Sequence, residues 1–156
     1  MKYTAVITRN AFVDDDTGKD MDSVYFPEIV DHGTVPATGL TDDELVMTAL
    51  YKAIDYNIQN RDHVFHGTTK TNEKTYEIDW QTELRIRISN WFIANNIRTF
   101  LNISEGYKFR TGLPLPVKVI EELFDTEQEI DLQLVFELIN AFKIPFKVKS
   151  IEMELG

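Results

Sequence analysis

The sequence has no cysteine, so disulfides and thiolate metal sites are excluded. It has only five prolines and seven glycines in 156 residues, and no glycine-rich loop stands ahead of a helix in the arrangement that binds nucleotide phosphates. No apolar run approaches the roughly 20 residues that a membrane-spanning helix needs. No serine or threonine sits in a nucleophile elbow. Repeats and low-complexity tracts are absent as well. The opening Met1-Lys2-Tyr3-Thr4-Ala5-Val6-Ile7 is too short and too strand-like for a secretory leader. The expectation is a cytoplasmic protein with no membrane contact, no metal and no cofactor.

What is present is apolar bulk and acid. A hydrophobic share of 43%, with 12% aromatics, is enough for a real core and argues against disorder. The length allows one domain or two small ones. The net charge of −10 is unevenly spread. Residues 1–60 carry four Lys/Arg against eleven Asp/Glu, and residues 61–83 three against five. Residues 84–120 reverse the sign: Arg85, Arg87, Arg98, Lys108, Arg110 and Lys118 face Glu105 alone. Residues 121–156 return to three against nine. A basic island of this kind suits phosphate, and the acidic remainder repels nucleic acid and suits a basic protein.

Along the chain, Lys2 to Thr8 alternates and predicts a first strand. Asn10 to Asp22 predicts an acidic loop, and Ser23 to Phe26 a second strand antiparallel to the first. Asp14, Asp16, Asp20 and Asp22 alternate as in a calcium loop, but Gly18 is one position early and Tyr25 replaces the bidentate glutamate. Val30 and Val35 suit a short third strand, with His32 near its turn. Thr41 and Glu44 fit a capping box, with Leu40 and Leu45 at the staple positions. Val46, Ala49, Leu50, Ala53 and Ile54 then recur at helical spacing. The helix fades near Asn57 to Asn60 into a polar linker over 61–74. His63 and His66 in that linker lack a carboxylate at ligand spacing.

From Tyr76 to Ile88, apolar residues hold the even positions and charged ones the odd, which predicts extended chain. Its charged side changes sign near Thr82, and a boundary there divides the chain into 1–82 and 83–156. Ser89 is the expected N-cap of a helix over Trp91 to Leu101, and Asn102 to Thr111 has room for a short one. Gly112-Leu113-Pro114-Leu115-Pro116 breaks the chain. Pro116 suits the first turn of a helix over Val117 to Phe124. Asp131 opens another, with Leu132, Val135, Leu138, Ile139 and Phe142 inward, and Pro145 stops it. Phe146, Val148, Ile151 and Met153 read as a final strand with a bulge at Ser150.

Tyr25-Phe26-Pro27-Glu28-Ile29, followed by Thr41-Asp42-Asp43-Glu44-Leu45 and its helix, resembles HicB-type antitoxins over about the first 58 residues. The segment after Ile29 departs from the family's usual leucine–proline–glycine, and the run to Thr41 is longer. The resemblance implies an α+β protein. A partial RNase H-like β-β-β-α-β domain comes first, then a mainly helical, helix-turn-helix-like domain with a final strand. Residues 91–148 resemble the helix-turn-helix form of the family's second half. Ribbon-helix-helix is the rival, since Leu84–Ile88 would be a basic strand leading into a helix.

The function so implied is an antitoxin. It neutralises a small basic RNA-cleaving toxin (HicA-like) and represses its own operon on operator DNA as a homodimer or higher even-numbered oligomer. Tyr25, Phe26, Pro27, Glu28 and Asp31 are the expected toxin contacts. Lys118 and Thr111 are expected near the groove, with Arg98, Lys108 and Arg110 on phosphates. The alternative is a stand-alone dimeric regulator, its first half a dimerisation or ligand-sensing module. An enzyme is not expected. Two-metal chemistry wants convergent carboxylates, whereas Asp14, Asp15, Asp16, Asp20 and Asp22 crowd one loop, and Glu77 and Asp79 share a strand face without a visible partner.

Overall fold

Ala5 divides the first expected strand in the computed structural model, which describes residues 1–29, 35–37, 43–60, 64–68 and 74–146. Before it lies β1 (Lys2–Thr4) and after it β2 (Val6–Val13). β2 pairs antiparallel with β3 (Asp20–Tyr25), from Val6↔Tyr25 to Val13↔Asp20, with a register shift between Thr8 and Phe12. Asn10 sits at that irregularity with φ 50°, a left-handed conformation that asparagine tolerates better than most side chains. Its N–H donates to Asp22 Oδ1 at 3.0 Å. The two strands thus run through most of the expected acidic loop, leaving a turn over 14–19. β4 (Val35–Ala37) adds to the far side of β3. Val30, Asp31 and His32 lie outside the described residues.

Helix α1 (Asp43–Asn60) buries Val46, Ala49, Leu50, Ala53, Ile54 and Ile58, the stripe that helical spacing predicts. Thr41 and Leu40 of the expected cap lie outside the described residues; Leu45 is exposed. The linker is tied down where it is described. Phe65 is buried, and its backbone N–H and carbonyl bond the Asn90 side chain. His66 is exposed and His63 lies outside the described residues.

The long strand expected over Tyr76 to Ile88 is corrected. Only β5 (Thr75–Glu77) is extended, paired antiparallel with β1, and α2 (Trp80–Ala94) begins three residues later. Asp79 caps it, accepting from Thr82 N at 2.8 Å. The buried face is Thr82, Arg85, Ile86, Ser89, Phe92 and Ile93, with Ile88 at its margin. That stripe has helical spacing, but three of its members are polar, so the period of two among the apolar residues hid the period of 3.6. Ser89 is a buried mid-helix residue rather than a cap, and residue 82 falls in the first turn of α2. Leu84–Ile88 being helical also removes the ribbon that a ribbon-helix-helix needs.

The helix expected over Trp91 to Leu101 is interrupted at residues 95–99, where Asn96 turns to φ 62°. Thr99 caps α3 (Phe100–Thr111) by accepting from Asn102 N. α4 (Val117–Leu123) and α5 (Leu132–Phe142) follow as expected, with Pro116 and Asp131 at their N-caps. Leu132, expected inward, is exposed. α5 ends at Lys143, φ 54°, just before Pro145. Phe146 is exposed coil rather than strand, and 147–156 lie outside the described residues.

A single apolar core runs from Tyr3, Val24 and Phe26 through α1 and Ile86 and Phe92 to Ile120, Leu138 and Phe142. Phe142 meets Phe92 edge to face at 5.0 Å, with Trp91 edge-on to both. Among the described residues, no helix is long and apolar enough to cross a membrane.

Candidate functional site

Gly112 ends α3 because it takes φ 74°, and its N–H bonds back to Lys108 O at 2.8 Å, a left-handed cap that glycine adopts without strain. Two prolines then prevent the helix from resuming. Leu115 is buried, and its carbonyl accepts from Ser104 Oγ, which pins the turn to the middle of α3. α4 starts directly after Pro116. Ile120 and Leu123 point into the same core as Ile103 and Tyr107, and Phe124 stacks on Phe100 at 5.4 Å and 12°. α3, the turn and α4 therefore form one braced helix pair, with α5 packed against α3. Lys118, Glu121 and Glu122 remain on the exposed side of α4.

The expected nucleic-acid contacts surround this pair without forming one patch. Arg98 is exposed in the link ahead of α3. Lys108 lies in the last turn of α3, about 12 Å of helix beyond Phe100. Lys108 and Arg110 are both exposed in the last turn, but residues two apart on a helix diverge by about 200°. Arg110 lies over the Phe142 ring at 4.4 Å and donates to Gly106 O at 3.1 Å. Thr111 closes the helix end, its hydroxyl donating to Tyr107 O at 2.8 Å and accepting from Leu113 N. Arg85, a sixth of the island's cations, is 1% exposed and unavailable to any ligand.

The expected toxin contacts are similarly divided. Phe26 is wholly buried and belongs to the core. Glu28 Oε1 accepts from Thr4 N at 2.9 Å. Tyr25 and Pro27 are exposed. Asp31 lies outside the described residues.

No protein-family model and no curated protein matches this chain.

A concave feature lies elsewhere. A cavity of about 510 Å³ between α1 and the turn at Thr126–Glu127 is walled by Met47, Tyr51 and Tyr56. It continues into one of about 450 Å³ through Asp55, Gln59 and Glu127, which line both. Glu121, Glu122, Asp125 and Lys118 border the second. The expected DNA-binding lysine thus stands in acidic company.

A polar frame holds the walls. Tyr51 OH donates to Asp79 Oδ2 at 2.8 Å and accepts from Asp79 N. Burial, then the Asp79 charge, raises the Tyr51 pKa. Burial alone would raise Asp79; hydrogen bonds from Thr82 and Tyr51 outweigh it and hold the carboxyl below its ordinary value. Thr126 Oγ1 donates to Asp55 Oδ1 at 3.2 Å, and Ile130 N donates to Gln81 Oε1 at 2.8 Å. Arg85 Nε donates to Leu123 O at 2.7 Å and Nη2 donates to Gln128 O. Burial lowers the Arg85 pKa, opposed by the charges of Asp79, Asp125 and Asp55. The connection from α4 to α5 is thereby hung from α1 and α2. Sequence inspection missed this frame because its members are far apart in the chain and individually look like surface residues.

Proposed function

We propose that this protein is an antitoxin-type regulator. Its first half would bind and neutralise a small basic RNA-cleaving protein, and its α3–α4 pair would sit on operator DNA in a two-fold dimer. In this proposal, Lys118 at the start of α4 lies at the groove, while Arg98, Lys108 and Arg110 meet phosphates. The observation that carries it is the braced pair itself: two packed helices, a glycine-started turn, and a second helix whose outer side is clear of the core. The order β1/β2, β3, β4, α1, β5 supports a partial RNase H-like first half.

Binding of the protein's own upstream DNA, measured at several salt concentrations, tests the proposal. Affinity should fall steeply with salt, and Lys108→Ala with Arg110→Ala should weaken it by about tenfold. An unchanged affinity would remove these residues from the interface.

The stand-alone regulator remains a second reading, favoured by one observation. Phe26 and Glu28, two residues the resemblance gives to the toxin, are engaged inside the fold. Co-purification with a small basic protein encoded next to this gene, and loss of that protein's RNA cleavage in the complex, would separate the two.

A further inference from the structure

The groove between α1 and the α4–α5 connection has two kinds of wall. At one end Met47, Tyr51 and Tyr56 form an apolar pocket, and Tyr56 is 58% exposed. Along the rest, five carboxylates (Asp55, Glu121, Glu122, Asp125 and Glu127) face two lysines, Lys52 and Lys118. An exposed tyrosine at the end of an apolar strip that runs along α1 from Met47 through Tyr51 offers a seat for an apolar anchor. Carboxylates flanking that seat attract cations. The walls are fixed by the Tyr51–Asp79 and Asp55–Thr126 bonds, so little ordering is left to be done on binding.

We propose that this groove is a docking surface for a lysine- or arginine-bearing protein segment carrying an aliphatic or aromatic anchor. The anchor packs on Tyr56, with Tyr51 and Met47 continuing the apolar wall along α1, and the cationic side chains run along Glu127, Glu121 and Glu122. The proposal rests on the antitoxin reading only in taking the partner to be a basic protein, and it moves the contact away from Tyr25–Glu28. Because Glu121 and Glu122 belong to α4, a segment seated here shares that helix's outer side with any DNA bound there.

The probe is a fluorescent synthetic peptide of about 16 residues, roughly four helical turns, with leucine and lysine at helical spacing. Anisotropy is read at moderate salt. Glu121→Gln/Glu122→Gln/Glu127→Gln should weaken binding about tenfold, and Tyr56→Ala about fivefold. A control that removes equal charge from the β2–β3 tip, Asp14→Asn/Asp16→Asn/Asp20→Asn, should change it less than about twofold. Equal losses in the two triple variants would mean attraction to the overall charge and would overturn the proposal. An unaffected Tyr56→Ala, or no binding of the peptide at all, would overturn it too. The two proposals fail separately. If a basic neighbour protein co-purifies but ignores the groove variants, the groove falls and the antitoxin reading stands; if the peptide arm succeeds with no such neighbour, the reverse holds.

Discussion

Asp79 shows how much one side chain does here. Its carboxylate caps α2 through Thr82 N and accepts the Tyr51 hydroxyl from α1. Asp79→Ala should cost about 1 kcal/mol for the cap alone, read by denaturant unfolding. Glu83 is held below its usual range in the same way. Burial would raise it, but the Met1 ammonium and Arg87 lower it. Both carboxyls therefore bind protons less readily folded than unfolded. Their stabilisation is complete above the unfolded carboxyl range and is lost as pH falls through the lowered values. The unfolding midpoint should drop below about pH 4, and Asp79→Asn should flatten that dependence. A midpoint equally sensitive to acid in the variant would show that other carboxylates set it. Legibility at this scale was uneven. Residue type and motif place Phe26 and Arg85 at the surface, yet both are buried. Only the helical spacing of Thr82, Arg85 and Ser89 hinted that a cation had gone inside.

Whether an element was legible depended on whether its buried face was apolar. α1, α4 and α5 bury aliphatic and aromatic stripes, and the sequence marks all three. α2 buries Thr82, Arg85 and Ser89 among its apolar residues, and its apolar remainder mimicked a strand. The α2–α3 break turns on Asn96, which is not distinctive in a run that already holds Asn95. The packing of α3 on α5 has a sharper determinant. A Cβ on Gly106 would come within 2.9 Å of the Phe142 ring, and that ring is held by Phe92, Trp91 and Arg110. Alanine would gain about 1 kcal/mol of helix propensity, but overpacking a fixed ring costs about 1–3 kcal/mol. Gly106→Ala should therefore be destabilising by about 1 kcal/mol. A stabilised variant in thermal melts would mean that Phe142 moves aside readily.

At the scale of the whole molecule, charge segregation along the chain does not become segregation in space. The basic stretch is divided by Arg85 going inward and by Lys118 standing among Glu121, Glu122 and Asp125. Linear charge counts carry no such information, because they do not see which face a residue occupies. The shared core and the Asp55–Thr126 and Phe65–Asn90 bonds nevertheless tie together the stretches on either side of residue 82. Arg85→Ala would take the side-chain donor from the Leu123 and Gln128 carbonyls, at a cost of about 3 kcal/mol, and would loosen the α4–α5 connection from α2. Calorimetry should give one transition for the parent, with van't Hoff and calorimetric enthalpies equal, and one at lower temperature for the variant. Two resolved transitions in the parent would mean that the halves melt independently. One charged side chain holding two main-chain oxygens thus behaves as a keystone. The same short connection is also moored to α1 through Asp55 and Thr126, so a load applied to α1 reaches the seat of α4 across only a few residues.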